Sequence, residues 1–213
     1  MAVKARRYDM SNRARQATET RRRIAEAAAR LFVRDGYGAT TINAIAAEAG
    51  VAVPTVYATL KTKQAILWAV IELTARGDAD QAPLAERQWW REMERERDPR
   101  ETLAKFARIH REICDREAAV FTVLETAANV DPEVAPVMRQ KEQARYSDQS
   151  RVVRSLKRQG QLRAGLSVRK ASDIIWALAT ERSYLALVRD RDWRAEDYED
   201  WLSEQLAAAL LPR

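Results

Sequence analysis

The sequence predicts an all-α protein, in which an N-terminal three-helix unit containing a helix-turn-helix is joined to a larger helical domain. Helix-forming residues dominate the 213-residue chain, whereas the apolar–polar alternation typical of β-strands is nearly absent. Apolar side chains recur at helical spacing between helix stop signals such as Gly36 and Gly50. Hydrophobic residues make up 46% of the chain, which is enough to form a packed core.

The composition excludes several classes of protein. One cysteine cannot form an internal disulfide, and no uncharged apolar run reaches the roughly 18 to 20 residues of a membrane helix. The basic N-terminus is not followed by an apolar stretch, so a secretion signal is not indicated. We therefore expect a cytoplasmic protein that has no contact with a membrane.

The chain is predicted to begin with a basic arm and a first helix. Residues 1–17 are rich in arginine and lack periodicity, which predicts a disordered arm. The pattern becomes helical at Thr20 and stops at Gly36. The apolar positions on the inner face of this helix are Ile24, Ala27, Ala28, Leu31 and Phe32.

Three further helices are predicted before residue 77. Thr41 is a good N-cap for a short second helix, which ends at Gly50. A third helix covers residues 51–60 with Pro54 in its first turn, where the missing N–H does no harm. A fourth helix begins at Lys63.

The rest of the chain is also predicted to be helical. Asp98 and Pro99 form a strong helix start, and Ser167 caps a later helix. Residues 78–97 show no clear pattern. The predicted helices run from Pro99, from about Glu133 to Arg158, from Val168 to Arg189 and from Ala195 to Leu211.

The net charge of +6 is concentrated at the N-terminal end. Residues 1–68 carry twelve Lys and Arg against five Asp and Glu, so the remainder is almost neutral. A basic head on a neutral body suggests an anionic partner, most commonly nucleic acid. A merely solvated basic tail is the alternative.

Two short helices around Gly50 have the form of a helix-turn-helix, although an ordinary packed helix pair has the same spacing. Over residues 19–68 the chain closely resembles the N-terminal domain of TetR-family transcriptional repressors. The matching residues are Thr20, Arg21, Ile24, Ala28, Phe32, Gly36, Tyr37, Thr40, Thr41, Ile45, Ala46, Ala49, Gly50, Val51, Thr55, Val56, Tyr57, Lys61, Lys63 and Leu67.

The resemblance implies which residues contact DNA. Those that would face bases are Val53, Pro54, Thr55 and Thr59. Those at phosphate positions are Thr41, Tyr57 and Lys63, and Lys61 and Arg21 complete the predicted set. The family usually has an aromatic residue or histidine where Thr59 stands, and Val53 and Pro54 offer only apolar contacts. Base-edge hydrogen bonding from this helix is therefore limited.

A weaker resemblance over residues 173–211 implies the paired dimerisation helices of the family. Apolar side chains in this region are numerous for a two-helix end piece, which predicts an isologous four-helix interface with a second copy. The predicted interface residues are Ile174, Ile175, Leu178, Leu185, Tyr198, Trp201, Leu202 and Leu206.

The middle of the chain resembles no known pattern, and in this family ligand pockets diverge there. Aromatic and polar residues predict an effector pocket, with ordinary core packing as the alternative for each. The candidates are Trp89, Trp90, Phe106, His110, Cys114, Phe121 and Trp176. A zinc site needs further ligands beyond the single histidine and the single cysteine, so neither a metal nor another cofactor is predicted.

These observations predict a homodimeric, ligand-responsive transcriptional regulator with a helix-turn-helix domain over residues 18–68 and an effector-binding and dimerisation domain over residues 69–213. We expect a repressor that a small apolar or aromatic effector releases from an inverted-repeat DNA operator. No nucleophile, base or phosphate-binding glycine loop indicates an enzyme. The alternative is a helical interaction module without sequence-specific DNA binding, which salt-dependent binding to duplex DNA would exclude.

Overall fold

The structure of the chain, a computed structural model, describes residues 2–77 and 87–212, with side chains from Arg15 onward. In these ranges the structure is helices joined by turns and loops, without a β-strand, as predicted. The helices are α1 (Ala2–Asp35), α2 (Ile42–Ala49), α3 (Val53–Leu60), α4 (Lys63–Arg76), α5 (Gln88–Arg95), α6 (Pro99–Val130), α7 (Ala135–Arg158), α8 (Val168–Leu178), α9 (Glu181–Tyr184, continued by a π-helical turn at Leu185–Arg189) and α10 (Ala195–Leu210).

The chain divides into two compact units. The N-terminal unit comprises Met1–Thr74 and Ala119–Met138, and the C-terminal unit comprises Ala75–Ala118 and Arg139–Arg213. Three helices, α4, α6 and α7, therefore contribute residues to both units. The boundary predicted at residue 68 lies near the end of the first segment, but no sequence pattern indicates that 119–138 joins the helix-turn-helix.

The core of the N-terminal unit forms where α1 to α4 pack with the end of α6. The predicted inner face of α1 is buried, and Phe32 has no exposed surface. The C-terminal part of α6 and the first turn of α7 complete this core. The buried residues of these two segments and of the turn between them are Val120, Leu124, Ala127, Val134 and Val137.

The core of the C-terminal unit forms among α5, the N-terminal part of α6, the C-terminal part of α7, and α8 to α10. Its large, fully buried side chains include Met93, Leu103, Leu156, Ile175 and Tyr198. No helix in the described part of the chain is long and apolar enough to cross a membrane.

The structure differs from the sequence prediction at the start of α1 and in the stretch 78–97. α1 begins at Ala2 and so runs through the segment predicted as a disordered arm. That segment lacks an apolar face but is rich in alanine and arginine, which favour helix regardless of periodicity. Part of the unassigned stretch 78–97 is α5, whereas residues 78–86 lie outside the described residues.

The helix predicted from Val168 to Arg189 is interrupted after α8. Thr180 forms a capping box with Ser183, which starts a new helix. The free carbonyl of Ala179 accepts hydrogen bonds from Arg145 (2.7 Å) and from Gln149 (2.9 Å). Because these donors come from α7, the apolar periodicity of residues 168–189 could not reveal the break.

A buried ion-pair triad lies inside the C-terminal unit. The Lys141 ammonium lies 3.0 Å from Glu117 Oε1 and 2.5 Å from Glu181 Oε1, and all three side chains are at most 7% exposed. Burial raises the pKa of Glu117 to about 7. Burial also acts on Glu181, but Lys141 outweighs it and lowers the pKa of that carboxyl to about 2. The lysine is therefore the shared counter-ion of two buried carboxyl groups.

Removal of the lysine should destabilise the protein strongly. We expect Lys141→Met to lower the free energy of unfolding by about 3–5 kcal/mol, because two buried carboxylates lose their counter-ion. Urea denaturation at pH 7.5 would measure the loss. Lys157→Met, an exposed position on the same helix, is the control and should change it by less than about 0.5 kcal/mol. Equal stability of the two variants would contradict a structural role for the triad.

Candidate DNA-binding and effector sites

A tight turn joins α2 to α3. Gly50 has the left-handed conformation (φ 63°, ψ 39°), and its N–H donates to the carbonyls of Ala46 and Ala47. The N–H of Val51 donates to the carbonyl of Ala46 over 3.0 Å. Glycine favours this conformation because it has no Cβ, so α2 ends there and α3 begins at Val53. This is the turn that the sequence predicted.

An arginine of α1 fastens the turn. Arg23 Nη2 donates to the carbonyl oxygens of Ala49 (2.6 Å) and Gly50 (3.2 Å), and so caps the end of α2. Arg21, which was predicted to contact DNA, forms an ion pair with Glu72 at 3.0 Å. Its side chain is 42% exposed and is still accessible to a phosphate.

The two sides of α3 differ in exposure. Val56 and Leu60 are buried in the core of the N-terminal unit. The hydroxyl of Thr59 donates to the carbonyl of Thr55 over 2.7 Å, so its hydrogen is already used within the helix. On the outer side lie the exposed Pro54, Tyr57 and Lys61 and the half-buried Val53, Thr55 and Thr59.

The predicted phosphate residues Thr41 and Lys63 both have internal partners. Thr41 Oγ1 accepts the N–H of Ala44 at 3.1 Å, which leaves its own hydrogen available for an external acceptor. The Lys63 ammonium donates to the carbonyl of Gly38 at 3.3 Å and lies 4.3 Å above the ring of Tyr37. An ammonium has three N–H donors, so these contacts orient Lys63 without saturating it.

Tyr37 supports this arrangement, a role that sequence reasoning did not assign. Its ring packs against Phe32 with the centroids 5.3 Å apart and carries Lys63 on its face. Burial, assisted by the charges of Asp131 and Glu133, raises the pKa of Tyr37 to about 12. The phenol therefore stays neutral at physiological pH and acts as a packing platform.

A cleft of about 410 Å³ lies in the C-terminal unit, next to the C-terminal end of α4 and between α5 and α6. Its wall includes Trp89, Ile109 and Ile113, together with two glutamates, Glu92 and Glu112. Its basic lining residues are Arg76, Arg87, Lys105, Arg108 and Arg116.

The predicted pocket residues do not gather around this cleft. Trp89 is the one candidate that lines it, whereas Trp90, Phe106 and Cys114 are buried in the apolar core. Phe121 belongs to the N-terminal unit. Trp176 lies 39% exposed, with its indole N–H donating to Glu142. Sequence spacing placed these residues on common helix faces but did not reveal which face is enclosed.

His110 lies in a buried polar group. Its Nε2 is 3.1 Å from the hydroxyl of Tyr198 and 3.5 Å from Cys114 Sγ. The Tyr198 hydroxyl is in turn 3.2 Å from the hydroxyl of Ser183. Burial lowers the pKa of His110 to about 4 and raises that of Cys114. The imidazole is therefore neutral at pH 7 with a partner inside the protein, the arrangement that core packing predicts. Among the residues that the structure describes, no group of His, Cys, Asp and Glu could hold a metal ion.

Most of the predicted dimer residues are buried inside the protomer. Enclosed side chains cannot form a surface for a partner, and all of these residues except Leu185 belong to the apolar core of the C-terminal unit. They are Ile175, Leu185, Tyr198, Leu202 and Leu206. The other three, Ile174, Leu178 and Trp201, are half-buried. The C-terminal unit therefore buries more apolar surface by itself than the sequence pattern predicts.

Comparisons with known proteins agree with this architecture. Residues 24–70 match the family model described as "Bacterial regulatory proteins, tetR family". A search of curated proteins finds no significant match. A protein of Saccharomonospora viridis, assigned as a transcriptional regulator and solved with choline, is 22% identical, with a TM-score of 0.65, over 92% of this chain and 99% of that one.

Two further solved structures are similar over most of the chain. The transcriptional regulator FadR from Bacillus subtilis, in complex with stearoyl-CoA, is 18% identical with a TM-score of 0.65, over 86% of this chain and 96% of that one. The SmeT–triclosan complex is 20% identical with a TM-score of 0.68, over 91% and 92%. Residues 24–70 thus match the TetR-family model, and the chain has the fold of solved TetR-family transcriptional regulators.

Proposed function

We propose that the chain is a homodimeric repressor that binds an inverted-repeat operator and leaves it when a small effector binds the C-terminal unit. The exposure of α3 carries the proposal. Its inner side is anchored in the core of the N-terminal unit, and its outer side exposes polar and apolar side chains within the basic N-terminal part of the chain. The match of this segment to the TetR family supports insertion of α3 into the major groove.

Two sets of contacts would hold the operator. Val53, Pro54 and the methyl group of Thr55 would touch thymine methyl groups, because these side chains offer apolar contact in the groove. Tyr57 and Lys61 are exposed at the same face and would hold phosphates. Thr41, Thr59, Lys63 and Arg21 complete the proposed set, although their internal bonds make them secondary contacts.

Dimerisation would bring two copies of α3 to successive major grooves, about 34–36 Å apart. The half-buried Ile174, Leu178 and Trp201 and the exposed Trp176 and Trp193 are apolar residues of α8, of α10 and of the loop before α10. We propose that these side chains, rather than the buried ones, form the interface.

A small effector is supported by relatives of the same fold that were solved with choline, triclosan and stearoyl-CoA. These ligands differ in charge and size, so the fold alone does not specify the ligand. The effector would have to bind more tightly to the conformation that cannot engage both half-sites, because only differential affinity shifts an equilibrium.

Selection of duplexes from a random library tests DNA recognition directly. The full chain should enrich an inverted repeat, and its binding should weaken steeply as the salt concentration rises. Failure to enrich any sequence would overturn the repressor proposal and favour an interaction module.

The salt dependence should report the phosphate contacts one at a time. On the selected duplex, Lys61→Ala should lower the slope of log K against log salt by about 0.9, because one fewer counter-ion is released. Tyr57→Phe should weaken binding on all sequences without changing that slope, since it removes a neutral donor. Fluorescence anisotropy between 50 and 300 mM salt measures both. Lys157→Ala is the control, and an unchanged slope for Lys61→Ala would remove Lys61 from the contacts.

Charge placed on α8 should separate the dimer. Ile174→Arg combined with Leu178→Arg adds two positive charges to one helix face, so the variant should sediment as a monomer at micromolar concentration and lose tight operator binding. Gln143→Arg, at an exposed position of α7, is the control and should stay dimeric. Circular dichroism melting would verify that both variants are folded, and a folded double variant that remains dimeric would contradict this interface.

A further inference from the structure

The cleft of the C-terminal unit combines a positive charge excess with an apolar wall. Its five basic side chains outnumber the carboxylates of Glu92 and Glu112. Trp89, Ile109 and Ile113 supply an aromatic and aliphatic surface in the same cleft. The volume of about 410 Å³ is within the range of small-molecule sites. These features match a molecule with an apolar body and a negative group.

One of the basic groups is free to bind such a molecule. Arg108 is exposed and forms no hydrogen bond or ion pair with any residue in the described part of the chain. Lys105 lies one turn away on the same side of α6 and is paired with Glu96. Arg108 can therefore bind an incoming anion without giving up a contact in the described part of the chain.

Two other basic groups of the cleft hold the C-terminal end of α4. Arg116 Nη2 donates to the carbonyl of Ala75 (3.2 Å), and Arg87 Nη1 donates to the carbonyl of Arg76 (3.0 Å). These carbonyls lie at the negative end of the helix dipole, where cations are favourable. Gly77 (φ 73°) lets Arg116 come close, because a Cβ there would lie 2.4 Å from Arg116 Nε.

We infer that this cleft is the effector site and that its ligand is an organic anion, a carboxylate or sulfonate on an aromatic or aliphatic body. The inference rests on the proposed function and specifies the chemistry of its effector. Arg108 binds the negative group, and Trp89, Ile109 and Ile113 cover the apolar body. A ligand without charge would leave the positive excess of the cleft uncompensated.

The position of the cleft explains how binding of such a ligand affects operator binding. An anion close to Arg108 competes with the carbonyls of Ala75 and Arg76 for the guanidiniums of Arg116 and Arg87. α4 begins at Lys63, beside the helix-turn-helix, and ends at these carbonyls. A change in the hydrogen bonds to its C-terminal carbonyls therefore acts on a helix that lies mostly in the N-terminal unit.

A matched pair of fluorescent probes tests the charge requirement on the full chain. 8-Anilinonaphthalene-1-sulfonate and N-phenyl-1-naphthylamine share one aromatic body, and only the first carries a sulfonate. The sulfonate should bind the folded wild type at least about tenfold more tightly, since a charge-assisted hydrogen bond is stronger than a neutral one. Equal affinity for the two probes would overturn the anion assignment.

Variants then locate the binding. Arg108→Gln should weaken the sulfonate about tenfold and leave the neutral probe unchanged, whereas Arg108→Lys should restore most of the affinity because it keeps the charge. Arg154→Gln, an exposed arginine of α7 outside the cleft, is the matched control. If Arg108→Gln and Arg154→Gln bind the sulfonate alike, the site lies elsewhere and the inference fails.

The last measurement separates this inference from the proposed function. The sulfonate should lower the affinity of the wild type for its selected duplex, with a much smaller effect on Arg108→Gln. Sulfonate binding without an effect on DNA affinity would show that the cleft is not the effector site. Failure of the chain to select any duplex would overturn the proposed function, while the probe titrations, which need no DNA, would still be valid.

Discussion

The long helix α6 is shared by both hydrophobic cores, to which α7 also contributes, and the organisation of the protein depends on this. Its first half buries Leu103 and Phe106 in the C-terminal unit, and its last turns bury Leu124 and Ala127 in the N-terminal unit. A helix of 32 residues spans about 48 Å, so its two ends cannot serve one core. The chain must therefore fold the helix-turn-helix around a segment that lies more than forty residues further along the sequence.

The DNA-binding unit shows how internal bonds prepare an external surface. Arg23 and Gly50 fix the turn between α2 and α3, and Tyr37 orients Lys63. These internal contacts determine the shape of the surface. The residues left at the outer side of α3 are small or apolar apart from Tyr57 and Lys61. In the proposed complex, affinity would come mainly from phosphates and selectivity from shape and methyl contacts.

The C-terminal unit distributes its charge in two different ways. Inside, Lys141 is the shared counter-ion of Glu117 and Glu181, and all three side chains are buried, so they are not available to a ligand. At the cleft the basic groups exceed the acidic ones, and Arg108 has no partner in the described part of the chain. Basic side chains thus stabilise the fold where they are buried with carboxylates, and they are available for ligand binding where they line the exposed cleft.

The sequence by itself determined the helical class, the apolar face of α1, the caps at Thr41, Gly50 and Ser167, and the helix-turn-helix. All of these depend on residues within a few turns of one another, and local spacing encodes them. Only the tertiary structure decided which apolar faces are enclosed, because burial depends on neighbours far along the chain. Tyr198 and Leu202 therefore proved to be core residues, and the carbonyl of Ala179 at the helix break finds its donors on Arg145 and Gln149 of α7. The cleft was equally inaccessible to sequence reasoning, since its charge belongs to side chains on α4, α5 and α6 that only folding brings together.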